Sequence, residues 1–455
     1  MIPAGSAESV VELTAYELKE YLATKGYNLP VVTDSDAASV KEILIGDTSR
    51  NSAVMPSDYR YAVYLDSNNK VQIAASSSYS YEAALNYIKS RGGIVENVNR
   101  QSNAASGFEG SATHMEKADD SIRVMFYNNY LYGDPDENRT TTGGPCMLRV
   151  ELQLDIYKAY RPDVIGFQEF RDKYEDDGVI PREYMTQQLK SIGYEIVEVD
   201  ETFQGYDDLN DTPIFYNANT VSVLKSGYLC YDLYDLSSSA ASAFNPNLDG
   251  NNDLWNPATN NGYSKSLTWA VFEVKAGENK GDRFAVISTH FMYNDSRLST
   301  SGGVVADDTY RTEDDISIGN LIRVENAKQA LDVVASIKSA YANIPIVFGG
   351  DLNAQLATDP INVLTNGGMA LAADMAASTD GAVYDTYGGK GYSTYDYTKK
   401  IYTKVNNVST SNTGIDHILF ENEGKVTIRK YLTLNDRTSR IPSDHVPKMV
   451  DFVIN

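Results

Sequence analysis

The stretch Ile344-Pro345-Ile346-Val347-Phe348-Gly349-Gly350-Asp351-Leu352-Asn353-Ala354 is an apolar run that ends on two glycines, a carboxylate and an amide. A short unbroken apolar segment bounded by turn residues reads as a strand covered on both faces. Asp351 and Asn353 are then lifted to the strand's exit, two residues apart and on the same side. The design recurs outward from there. Ser288-Thr289-His290, Gly414-Ile415-Asp416-His417 and Ser443-Asp444-His445 hold three of the chain's four histidines. Each lies beside a β-type apolar run: Phe284 to Ile287, Ile418 to Phe420, and Met449 to Ile454. Upstream, Asp163-Val164-Ile165-Gly166-Phe167-Gln168-Glu169 ends another apolar run on a carboxylate. Acids, amides and imidazoles at the ends of several strands form a rim suited to hydrolytic chemistry.

A chain of 455 residues exceeds one ordinary core, so two domains are expected. Apolar residues at 42% and charged residues at 22% describe a folded soluble protein. No apolar run approaches the roughly 20 residues that span a bilayer. Met1-Ile2-Pro3-Ala4-Gly5 lacks a basic start and an apolar stretch, so no signal peptide is read in the numbered chain. The net charge of −23 opposes loose binding to nucleic acid or an anionic membrane, both of which need a basic face. A metal site can still hold one phosphate within a negative field. Cys146 and Cys230 either pair in an oxidising compartment or are buried thiols. Abundant Tyr, Ser, Thr and Asn with few Lys suggest a secreted or cell-surface bacterial protein, and a monomer is expected.

Residues 1–104 read as a small α+β accessory domain. Val11, Ala15, Leu18 and Leu22 mark one face of a helix that Gly26 stops. Leu29 to Thr33 and Glu42 to Ile45 read as strands. Tyr61 to Leu65 and Lys70 to Ala74 form a hairpin across Asp66-Ser67-Asn68-Asn69. Tyr81 to Ser90 is a closing helix. The order resembles the small non-catalytic domain that precedes the barrel in several glycoside hydrolase families. Residues 105–120, rich in Ser, Ala and Gly, read as a linker, with His114 an exposed, inert residue. From residue 121 to 455 strands and helices alternate, with long polar loops over 235–264 and 294–320 and a long helix from Arg323 to Tyr341.

This second region resembles the endonuclease/exonuclease/phosphatase family of metal-dependent phosphoesterases. The matching stretches, in family order, are Ile122 to Asn128, Pro162 to Glu169, Ser288 to His290, Gly350 to Asn353, Gly414 to Leu419 and Pro442 to His445. The resemblance implies a four-layer α/β/β/α sandwich: two mixed sheets face to face with helices outside. It also implies that Glu169 and Asn128 hold a divalent cation. Hard oxygen donors suit Mg²⁺ or Mn²⁺, and the lack of a thiolate or close His cluster opposes structural zinc. Either residue alone would pass for a strand-end carboxylate or a turn amide.

By the same resemblance, Asp351 orients and deprotonates the attacking water, and Asn353 bonds the phosphate. An Asx-turn closing the strand is the plainer reading of Gly-Gly-Asp-x-Asn. His445 with Asp416 resembles the family's His–Asp pair, in which the carboxylate fixes the tautomer. His445 is then either a general base or a charged donor. Asp444 ligates the metal directly or through water. His290 resembles the family's phosphoryl-stabilising His, whereas a lone strand-end His is more often structural. His417 stands where members carry Tyr or His and is not assigned to catalysis. The family often has an Arg ahead of its Thr-Trp-Ala strand. Here Lys265 occupies that region, a point charge for substrate without bidentate geometry.

These residues describe an Mg²⁺-dependent phosphoesterase that hydrolyses a phosphodiester or phosphomonoester through a metal-activated water. A small phosphoester or lipid head group is favoured, and tyrosines at 228–234 and 384–402 either line its pocket or lie on the surface. The alternatives are a nuclease, which the charge disfavours, and an inactive glycan-binding surface protein. A glycosidase would need two carboxylates across a sugar and no metal.

Overall fold

The computed structural model describes residues 1–39, 41–50, 60–65, 70–92, 105–106, 116–118, 120–129, 144–170, 181–199, 212–231, 265–292, 313–380, 393–405, 414–421 and 423–455. His114, the loop over 235–264 and the side chain of Cys230 lie outside them. Among the described residues no helix is long and apolar enough to cross a membrane.

The N-terminal unit comprises α1 (Val10–Ala23), β1 (Ile43–Ile45), β2 (Arg60–Leu65), β3 (Val71–Ala75), α2 (Ser78–Ser90) and β4 (Ala105–Ser106). Its sheet has the order β1-β3-β2-β4, with β2 and β3 antiparallel as the hairpin reading requires. Ser9 caps α1 by accepting from the Glu12 N–H, and Ser77 and Ser80 form a capping box on α2. Leu29 to Thr33, expected as a strand, forms none. Pro30 lacks a donor, and Thr33 makes only an isolated bridge to Ile2. Ala105–Ser106, expected to open a linker, instead pairs with β2.

The remainder runs β5 (Ile122–Asn128), α3 (Cys146–Tyr160), β6 (Val164–Gln168), α4 (Pro181–Ser191), β7 (Tyr194–Ile196), β8 (Ile214–Asn217), β9 (Val221–Cys230), β10 (Ser266–Val274) and β11 (Arg283–His290). It continues α5 (Glu313–Ala340), β12 (Ile346–Asp351), α6 (Asp359–Asn366), β13 (Met369–Leu371), α7 (Ala372–Met375), β14 (Thr379–Asp380), β15 (Thr394–Asp396) and β16 (Ile401–Lys404). It closes with β17 (Asp416–Glu421), β18 (Val426–Thr433), α8 (Arg437–Arg440) and β19 (Lys448–Ile454). The long helix therefore starts at Glu313 rather than Arg323, which shortens the loop read over 294–320.

Two mixed sheets result, ordered β13-β17-β12-β11-β10-β9 and β14-β18-β19-β5-β6-β8-β7. Alternation along each strand sorts side chains into layers. Val124, Phe126, Val164 and Ile214 of one sheet meet Phe272, Phe284, Val286, Val347 and Phe420 of the other in a shared core. Met125, Tyr127, Ile165 and Phe215 point the opposite way, onto α3 and α4. Ala285, Ile287, Ile346 and Phe348 likewise meet Ala327, Ala330 and Val334 of α5. This is the four-layer sandwich.

The sheets pack closely around Phe126. A Cβ added to Gly166 or to Gly349 would come within 2.7 Å of its ring, so both positions require glycine. The N-terminal unit packs against α3 and the β15–β16 hairpin. Leu148, Leu152, Tyr395, Tyr402 and Ile441 share its core with Leu18, Leu22 and Leu85.

Candidate active site

Strand register assembles the centre. Parallel pairing of β11 with β12 sets His290 opposite Asp351, and antiparallel pairing of β12 with β17 sets Asp416 opposite Asp351. Three site residues thus form one row at the end of one sheet. In the facing sheet, β5 and β6 place Asn128 opposite Gln168, and Glu169 follows at the exit with φ 56°. A left-handed glutamate is strained, and such strain clusters where a side chain must be aimed.

Asp351 is the hub. Asn128 Nδ2 donates to its Oδ2 at 3.0 Å and to Glu169 Oε1 at 3.2 Å. The Nε2 atoms of His290 and His445 lie 3.4 and 3.7 Å from Asp351 Oδ2. His445 Nδ1 meets Asp416 Oδ2 at 2.7 Å, which turns Nε2 toward Asp351. Asp444 Oδ1 stands 4.0 Å from His445 Nε2.

Burial governs the charges here. It raises the Asp351 carboxyl, Asp416 adds to the rise, and His445, His290 and the Asn353 N–H oppose it. Burial pushes Asp444 up to about 7 against the pull of His445, and Glu169 adds to the push. Burial alone would lower His445, but Asp416, Asp444 and Asp351 together hold its imidazole well above the usual range.

The donor set fits a divalent cation. Glu169, His290 and Asp351 form one group whose candidate ligand atoms lie within 4.8 Å of one another, and Asp351, Asp416 and His445 form a second. Carboxylates outnumber imidazoles, and hard oxygens predominate. As placed, Asn128 turns its NH₂ toward the carboxylates. Holding a cation through its oxygen requires only that the amide flip.

The other expected residues divide. Asn353 lies beyond the end of β12 with φ 47°, so it does not share the strand's face as its spacing suggested. Its N–H donates to Asp351 Oδ1 at 2.9 Å, the Asx-turn, and its Nδ2 donates to the Phe291 carbonyl at 3.0 Å. Lys265 is buried, with Nζ 2.9 and 3.0 Å from the two ring nitrogens of His290, so its charge acts on that ring. His417 Nε2 meets the Ala354 carbonyl at 2.7 Å, and burial followed by Lys448 lowers its imidazole to about 4, a structural histidine. Tyr395 and Tyr402 pack into the N-terminal unit's core and Tyr231 bonds Thr289 at 2.6 Å, so these three line no substrate pocket. Residues 232–234 and 384–392 lie outside the described residues.

Sequence reading missed the braces. Ser443 Oγ donates to the Asn128 carbonyl at 2.8 Å and accepts the His445 N–H at 3.1 Å. Gln168 Nε2 donates to Ser288 Oγ at 3.1 Å, tying the two sheets beneath the site. Their only signal was position inside the motifs.

A model of the endonuclease/exonuclease/phosphatase family matches residues 146–445. Among solved structures, the chain is similar to an endonuclease/exonuclease/phosphatase family protein of Bacteroides thetaiotaomicron at 15% identity, covering 75% of this chain and 97% of that one, TM-score 0.48. It is similar to a mannosyl-6-phosphatase of the same organism at 16% identity, covering 73% and 100%, TM-score 0.48. A third is sphingomyelinase C of Streptomyces griseocarneus, at 14% identity, covering 73% and 99%, TM-score 0.43. No curated protein matches the sequence.

Proposed function

The chain belongs to the endonuclease/exonuclease/phosphatase family and is a phosphoric ester hydrolase, and from that premise we propose that it hydrolyses a compact phosphoester with Mg²⁺ or Mn²⁺ held by Glu169, Asn128 and Asp444. One observation carries the reading: Asn128, His290 and His445 converge on Asp351 Oδ2 at 3.0, 3.4 and 3.7 Å. A divalent cation supplies Lewis acidity at a phosphoryl oxygen when bound.

The chain's own groups do the rest. Asp351, its basicity raised by burial, orients the attacking water and takes its proton. Asp416 fixes the His445 tautomer, and the raised imidazole is a charged donor to the phosphoryl group rather than a base. Lys265, within hydrogen-bonding distance of both ring nitrogens of His290, holds that ring beside Asp351. Asn353 sits at the rim as a further polar group for the phosphate.

The −23 charge and the acids of the site favour one phosphate over a polyanion. The test is a panel of small phosphodiesters, phosphomonoesters, lipid head groups and duplex DNA, each with and without EDTA and across a salt series. Turnover of a small phosphoester that EDTA abolishes is expected. Turnover indifferent to EDTA, or efficient duplex cleavage with steep inverse salt dependence, overturns the reading.

A further inference from the structure

We infer that the N-terminal unit braces the metal centre through α3, with Arg149 and Gln153 as the positioning residues. The inference rests on the reading of that centre as a divalent-cation site. α3 is buried on nearly every side, and its polar residues reach in opposite directions. Glu151 Oε2 accepts the Val10 N–H at 2.8 Å, and Asp155 Oδ2, one helical turn on, accepts the Ser78 N–H at 2.6 Å. Val10 and Ser78 open α1 and α2, so the two carboxylates hold both helix starts of the N-terminal unit. Leu148 and Leu152 complete that attachment within its core.

Two residues along the helix is about 200° around it, so Arg149 and Gln153 face away from Glu151 and Asp155. Arg149 Nε donates to the Pro442 carbonyl at 2.7 Å and its Nη2 to the Asn129 carbonyl at 3.0 Å. Gln153 accepts from Asn129 Nδ2 at 2.8 Å and donates to its carbonyl at 3.4 Å. Asn129 follows Asn128, and Pro442 opens the segment carrying Ser443, Asp444 and His445. The Ser443 bond to the Asn128 carbonyl closes the circuit. One rigid helix therefore sets the spacing of two segments that carry proposed ligands. The N-terminal unit covers and anchors that helix from behind.

The test uses the full chain and reads Mg²⁺ binding by calorimetry, with hydrolysis of a small aryl phosphodiester followed against Mg²⁺ concentration. Arg149→Lys keeps the charge but loses the two-way reach of the guanidinium. Glu151→Ala combined with Asp155→Ala loosens the attachment and leaves every bond on the site side in place. About a tenfold rise in the Mg²⁺ dissociation constant is expected for Arg149→Lys, as for other groups that orient metal ligands. A smaller rise is expected for the double variant, and kcat at saturating Mg²⁺ should stay near wild type in both. Wild-type affinity in either overturns the brace, as does a fall in kcat at every Mg²⁺ concentration with unchanged affinity. Should Arg149→Lys fail to fold, Gln153→Ala loses only the clasp on Asn129, and Glu151→Ala alone serves likewise for the double variant. A wild-type protein that binds no Mg²⁺ overturns the metal reading itself, which is a different result from binding that the variants leave untouched.

Discussion

Glu151 and Asp155 on α3, and Asp351, Asp416 and Asp444 at the strand ends, are all acids removed from water, yet they keep different company. On α3 each carboxylate meets the first N–H of a helix, a fixed partial positive charge. At the strand ends the acids face one another and share two imidazoles. Burial is the largest upward influence in both regions, pushing Glu151 to about 7 and Asp444 to about 7. The α3 acids each have a backbone partner and fasten two parts of the molecule. The strand-end acids outnumber the two imidazoles they face, and a cluster rich in carboxylate oxygens suits a divalent cation. Burial alone does not mark a reactive acid; the identity of its partner does.

Four experiments test that contrast. Glu169→Ala should lose Mg²⁺ binding and activity together, because it removes a charge on the open side of the centre. Wild-type calorimetric affinity would exclude Glu169 as a ligand. Asp351→Asn keeps the shape but not the base, and a loss of about 10²–10⁴ in kcat is expected. An unchanged kcat would make Asp351 a turn residue like any other. Next, if Asp416 and His445 act as a unit, their double Ala variant should be scarcely worse than the worse single one. Additive losses would separate them.

The smallest effect belongs to α3. Glu151 has a folded pKa of about 7 against an ordinary 4.5, so the folded state holds the extra proton. Stability from this group is complete below pH 4.5 and is lost as pH rises toward 7. The span is at most about 3 kcal/mol. Glu151→Gln should therefore lose less Tm than wild type between about pH 5 and pH 8. Parallel Tm curves would show that Glu151 is not the acid that titrates.

The strand-end acids were legible in the sequence because each lies beside an apolar run: Asp351 closes β12, Asp416 opens β17 and Asp444 precedes β19. Asp351, His290 and Asp416 fall into one row by register alone. The α3 residues were not legible for the opposite reason. A helix covered on both sides shows no polar face, so nothing in the sequence sets Arg149, Glu151, Gln153 and Asp155 apart. Leu29 to Thr33 has strand-like composition but no neighbour to complete a ladder, which local sequence does not report. Asn353 kept its expected neighbourhood and lost its expected face, because the chain turns left-handed there.

The ring of Phe126, held between Gly166 and Gly349, acts as a feeler gauge for the whole sandwich. It lies two residues before Asn128, while Gly349 lies two before Asp351 and Gly166 three before Glu169. The gap between the two jaws of the site is thus set by the width of one aromatic ring beneath them. A methyl group at Gly166 or Gly349 would wedge the jaws apart, and a thinner side chain at Phe126 would let them sag together. Either would misplace Asn128 and Glu169 relative to Asp351 without touching any of them.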